Sequence, residues 1–189
     1  MPERTRQAIV SAFNRLIARS EIEKITTEKI AAEADVSKAT FYRYFKDKYD
    51  VLNYNYKVLL DHALEQCDNY RDLFFRLFRF AREEWTEFRR AFYSTGVNSF
   101  ENFVFSYSRS VVEQITAENR SGAGLTPEEA LQVDVVCWGI SYMYKKWTLG
   151  QYPLDADAAA DALFALMPES LKHLWFHRLA LRQKFLLMN

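Results

Sequence analysis

Residues 26–48 read TTEKIAAEADVSKATFYRYFKDK, and the rest of the chain is organised around them. Ile30, Ala31 and Ala34 recur at helical spacing after two threonines, which predicts a short amphipathic helix from Thr27 to Ala34. Asp35-Val36 turns the chain. Ser37 is a capping residue type, and a second short helix opens on it, carrying Lys38, Ala39, Thr40, Tyr42, Arg43 and Tyr44. Phe41 and Phe45, four apart, face the other way and anchor this second helix to a core. Two short helices joined by a turn of a few residues form a helix-turn-helix, whose second helix suits the major groove of DNA.

Around that stretch the chain reads as helical throughout. Its five glycines and four prolines punctuate it sparsely, and no alternating run of Val, Ile and Thr suggests a strand. Residues 4–19 place Ile9, Phe13, Leu16 and Ile17 on one face, a stripe that the helix-turn-helix must cover. The expected fold is all-α: a three-helix DNA-binding domain over 1–48, a linking helix over 49–69 and a helical body over 70–189. On the linking helix Val51, Val58 and Leu59 are the expected core positions. The body shows apolar stripes at Phe74, Phe78, Ala81, Trp85, Phe88 and Phe92, then at Phe100, Phe103, Val104, Tyr107, Val111 and Ile115. Thr126-Pro127-Glu128-Glu129 carries a capping-box signature. The helix that follows, 128–149, is apolar on more than one face, which predicts burial from several sides. Asp155 caps an alanine-rich helix, and Pro168 precedes a last one.

Composition sets limits on function. Twenty-five basic and 25 acidic residues cancel, so bulk charge does not announce a nucleic-acid binder, yet Lys38, Arg43, Lys46 and Lys48 face only Asp47 within 36–48. The N-terminus has no apolar segment of the signal-peptide kind and no apolar run approaches a membrane span, so a cytoplasmic protein without membrane contact is expected. Cys67 and Cys137 stand apart, as free thiols do. His173 and His177, four apart, lack a third ligand at metal spacing, and no metal or cofactor is expected. No nucleophile motif or phosphate-binding loop is present, which argues against an enzyme.

The opening stretch closely resembles the signature of the TetR family of bacterial regulators, T-x-x-x-I-A-x-x-A-G-V-S-x-x-T-F-Y-x-x-F-x-x-K. The match holds at Thr26 or Thr27, Ile30, Ala31, Ala34, Val36, Ser37, Thr40, Phe41, Tyr42, Phe45 and Lys48. The resemblance implies that Thr27, Thr40, Tyr42 and Lys48 meet DNA, Thr40 and Lys48 through phosphate, while Ser37 caps the recognition helix. Base reading then falls to Lys38, Ala39, Tyr42, Arg43 and Tyr44: Lys38 suits guanine O6 and N7, and the Ala39 methyl suits a thymine methyl. The family usually has glycine where this chain has Asp35, which tolerates positive φ at some strain.

The resemblance also implies a homodimer on a palindromic double-stranded operator, acting as a repressor controlled by a small-molecule effector in the C-terminal domain. The sequence around Gly139, Trp147, Gly150, Asp155 and Pro168 resembles the branch that includes regulators near dihydroxyacetone-kinase genes. That branch suggests an alternative, a coregulator controlled by a protein partner. Helices 128–149 and 155–167 are the expected dimer elements. Phe78, Trp85, Phe88, Phe103, Tyr107, Trp138 and Tyr142 are the candidate effector walls, although such stripes more commonly form core.

Overall fold

The computed structural model describes residues 2–83, 89–92 and 99–174, and every regular element among them is helical. In chain order these are α1 (Pro2–Arg19), a single 3-10 turn (Ile22–Lys24), α2 (Thr27–Glu33), α3 (Lys38–Tyr44) and α4 (Lys48–Glu65). There follow α5 (Tyr70–Glu83), α6 (Phe100–Asn119), α7 (Pro127–Thr148), α8 (Ala156–Ala165) and α9 (Glu169–Lys172). No described helix is long and apolar enough to cross a membrane.

The chain divides into two units, Met1–Lys57 with Trp85–Phe103, and Val58–Glu84 with Val104–Asn189. α4 and α6 each contribute to both units. In the first unit the α1 stripe of Ile9, Phe13, Leu16 and Ile17 is buried, together with Ile22, Ile25, Ile30, Phe41 and Phe45. Phe45 meets Phe41 at 6.1 Å and the edge of Tyr54 at 5.6 Å between ring centroids. Arg90 donates to the Ile17 carbonyl, which satisfies a backbone acceptor in the last turn of α1.

The buried face of α4 corrects the sequence reading. Val51 is buried as expected, but Val58 is exposed and Leu59 only half-buried. Leu52, Tyr56, Leu60 and Leu64 form the inward row instead, at strict four-residue steps. Tyr56 packs edge-on to Phe100 at 4.7 Å, so an amphipathic tyrosine serves here as a core residue.

In the second unit α5 packs on α8. Phe74, Phe78 and Ala81 are buried on α5, and Ala156, Ala159, Ala160 and Leu163 on α8, where small side chains permit close approach. Arg71–Asp161 and Arg79–Asp157 bridge the edges of that contact at 3.1 and 2.8 Å. The small side chains of α8 thus lie on the face turned to α5. The capping box at the start of α7 forms as read: Glu129 N–H donates to Thr126 Oγ1 (3.2 Å), and Thr126 N–H donates to Glu129 Oε2 (3.1 Å). Gly150, at φ +75, ends α7 with the Gln151 N–H reaching back to the Lys146 carbonyl.

Candidate nucleic-acid interface

The turn between α2 and α3 follows from its residues. Thr26 caps α2 by accepting from Lys29 N–H at 3.3 Å. At the other end Asp35 N–H donates to the Ala32 carbonyl (3.2 Å) and Val36 N–H to the Ala31 carbonyl (3.0 Å). That paired arrangement is a Schellman ending, which needs a left-handed residue at its first outside position, and Asp35 supplies it at φ +54. Ser37 then leaves α2 in extended backbone and caps α3, accepting from Thr40 N–H at 3.0 Å and donating to Thr40 Oγ1 at 2.9 Å.

With Phe41 and Phe45 buried, the opposite face of α3 is turned outward. Lys38, Ala39, Tyr42 and Arg43 are exposed, while Thr40 and Tyr44 are half-exposed. The structure thus brings Thr27, Ser37, Lys38, Ala39, Thr40, Tyr42, Arg43 and Tyr44 into one stretch of surface on α2 and α3. Tyr42 and Thr27 share a hydrogen bond between hydroxyls at 3.2 Å. The Arg43 guanidinium lies over the Tyr44 ring at 5.7 Å, and Arg6, from α1, approaches the same ring at 6.0 Å and Tyr54 at 5.3 Å. Hydroxyls, a guanidinium and an ammonium on an exposed helix face can bond phosphate oxygens and base edges.

Lys48 has a different setting. Its ammonium reaches under the 3-10 turn and donates to the carbonyls of Ile22 (2.6 Å), Ile25 (3.0 Å) and Glu23 (3.3 Å). Partial burial there pulls its pKa below the usual lysine value. In this conformation Lys48 closes the α1–α2 connection, whereas the resemblance assigned its charge to phosphate.

Three side chains that the sequence reading passed over shape the site. Glu33 holds Arg15 (2.7 Å) and Arg19 (2.8 Å), fastening the end of α2 to α1. The Arg15 bond, and then the Arg19 bond, keep its carboxyl below the ordinary range. Arg6 is the second, placed beside Tyr44 as above. Glu28, in the first turn of α2, pairs with Lys38 at the start of α3. That bond comes first among the causes that lower the Glu28 pKa to about 2, followed by the backbone and the Thr26 hydroxyl.

The effector candidates are scattered. Phe78 is buried against Tyr144 (5.1 Å) and Trp147 (4.9 Å). Beside it lies an apolar cleft lined in part by Met143, Trp147, Tyr152 and Leu154, with about 10 Å³ of room, scarcely a water's worth. Tyr107 is buried and donates to Asp61. Phe103, half-buried, packs on Tyr56. Trp138 and Tyr142 face outward on α7, Trp138 stacked on Phe105 at 4.2 Å. Trp85 and Phe88 lie outside the described residues, as does His177; His173 pairs with Glu169 at 3.2 Å.

Residues 9–54 match the family described as bacterial regulatory proteins, tetR family. No curated protein matches the chain. Among solved structures it is similar to the dihydroxyacetone kinase operon activator DhaS, at 14% identity and a TM-score of 0.61, covering 90% of this chain and 98% of that one. It is also similar to a TetR transcriptional regulator from Rhodococcus sp. RHA1, at 15% identity and a TM-score of 0.57, covering 87% and 93%. The fatty acid degradation regulator FadR from Bacillus halodurans follows at 14% identity and a TM-score of 0.54, covering 89% and 95%. At these identities the likeness concerns the fold alone.

Proposed function

Because the chain carries the DNA-binding domain of the tetR family of bacterial regulatory proteins, we propose that it is a homodimeric repressor that binds a palindromic operator in the cytoplasm. The observation that carries this reading is the outward face of α3, capped by Ser37 and anchored by Phe41 and Phe45, which presents Lys38, Ala39, Tyr42 and Arg43 together. One such helix reads few base pairs, so two heads on successive major grooves, roughly 34–36 Å apart, supply the rest of the specificity. The test is titration with the chain's own upstream DNA at several salt concentrations. Specific binding that weakens steeply with salt is expected; binding indifferent to salt would refute it.

A second feature supports the dimer. Leu131, Val135, Trp138 and Tyr142 step by four, three and four along α7 and are 67%, 66%, 46% and 50% exposed. A helical apolar stripe left in water is the kind of surface that a second copy covers. Trp138→Glu should place a charge in that contact and convert a dimer into monomers by sedimentation equilibrium, with helix content kept. A variant that sediments like the parent would place the dimer contact elsewhere.

The effector is proposed to act in the C-terminal domain, binding better to the form of the protein that does not hold DNA. Phe78 and its aromatic neighbours supply the apolar wall, but a ligand pocket of about 300–1,000 Å³ is far larger than the cleft beside Phe78, which would have to open. The alternative reading is control by a protein partner in place of a small ligand. The two part on one measurement: a purified dimer released from DNA by a small apolar ligand supports the first reading.

A further inference from the structure

The basic character that the sequence assigns to 36–48 is partly committed within the head itself. Lys38, a base-reading candidate, pairs with Glu28, and its ammonium also lies 6.0 Å from the Tyr42 ring centroid. Thr27 donates to Glu28 Oε2 at 3.3 Å, which leaves the Tyr42 hydroxyl to donate to Thr27. A closed ring of Glu28, Lys38, Tyr42 and Thr27 therefore joins the first turn of α2 to the first two turns of α3. Both charged side chains are more than half exposed, so the pair adds little to fold stability. Its consequence is electrostatic: a cation on the DNA-facing surface is matched by a carboxylate of this chain before any phosphate arrives.

Resting on the DNA-binding reading above, we propose that Glu28 is a specificity-determining residue, which restrains Lys38 from generic phosphate contact and so lowers affinity for non-operator DNA. A phosphate that takes Lys38 must first replace a carboxylate already held by the same helix pair, and it leaves Glu28 facing a polyanion. In a non-specific complex Lys38 stays with Glu28, and one counterion fewer is released per head than the exposed cations would allow. Discrimination between operator and bulk DNA depends on the ratio of the two affinities, so lowering the non-specific one raises specificity.

The experiment measures binding of the full chain to a short duplex of random sequence between about 50 and 200 mM salt, for the parent, E28Q, K38Q and the double variant. Releasing Lys38 in E28Q should steepen the slope of log affinity against log salt by about 0.9 per engaged head, and raise affinity roughly five- to tenfold near 0.1 M. K38Q removes a DNA-facing cation and leaves Glu28 unpaired, so it should bind more weakly than the parent, while the double variant, with neither charge, should return to the parent's slope without the gain of E28Q. Thermal unfolding of all four should coincide, which keeps the comparison one of binding. An unchanged slope in E28Q would overturn the proposal. So would an E28Q effect as large without Lys38 as with it, since the carboxylate would then merely repel DNA. If no variant binds duplex in a salt-dependent way, the DNA-binding reading falls and this proposal with it.

Discussion

Asp35 occupies the left-handed residue of the α2–α3 turn, at φ +54, and this conformation makes its replacement by glycine and by alanine diverge. An L-residue in this region costs roughly 1–2 kcal/mol, less for aspartate, whose short polar side chain tolerates it. Asp35→Gly removes the strain but enlarges the unfolded ensemble, at a cost of about 0.4–1 kcal/mol. The two terms nearly cancel, so this variant should unfold within about 1 kcal/mol of the parent. Asp35→Ala keeps the Cβ and loses the tolerance of aspartate, so it should fall about 1–2 kcal/mol below Asp35→Gly. Urea unfolding followed by helical ellipticity resolves that difference through the midpoint at constant slope. Both bonds of the turn, Asp35 to Ala32 and Val36 to Ala31, involve backbone only, so either variant can still make them. Removing an exposed carboxylate beside α3 should leave operator affinity equal or higher. Alanine as stable as glycine would refute the left-handed assignment, and a large loss of DNA binding in Asp35→Gly would refute a passive side chain.

Lys48→Gln should cost about 1–3 kcal/mol, because three carbonyls under the 3-10 turn lose a charged donor at a partly buried site. Its effect on DNA separates two roles: a salt slope reduced by about 0.9 per head marks a phosphate contact, and an unchanged slope marks the carbonyl clasp alone. For acid stability, Arg120 forks onto Glu129 at 2.7 Å through both nitrogens, and Thr126 N–H and the Ser170 hydroxyl assist. These partners, Arg120 foremost, hold the Glu129 carboxyl well below its ordinary value of 4.5. A folded-state pKa below the unfolded one contributes stability that is complete above about 4.5 and is lost as pH falls toward the lower value. Glu129→Gln should therefore flatten the acid limb of an unfolding-versus-pH curve; an identical limb would show that the pair contributes nothing.

Much of the head was legible in residues 26–48 because its determinants are local. Ser37 and Thr26 cap through bonds three residues away, Asp35 sets one backbone angle, and Phe41 and Phe45 share a face by helical geometry. The capping box at Thr126 and the cap at Asp155 were readable for the same reason. Periodicity states which side chains lie together but not what lies opposite them. On α4 it could not choose between Val58 and the row containing Tyr56, because a tyrosine suits core and surface alike. On α7 it marked apolar residues all round, and only packing showed that Val133, Cys137, Ser141 and Tyr144 turn inward while Leu131, Val135, Trp138 and Tyr142 turn outward.

The charged groups diverged most. A lysine carries its charge on a long flexible stem, so its partner is whatever the fold brings within reach. Sequence alone named Lys38 and Lys48 as cations of a DNA-binding head. Tertiary structure decided that Lys38 rests on Glu28, ten residues away across the turn, and that Lys48 rests on carbonyls more than twenty residues away. The motif belongs to the sequence, because caps and helical spacing act over one or two turns. The resting state of its charges belongs to the fold, because electrostatic partners are set by distance in space.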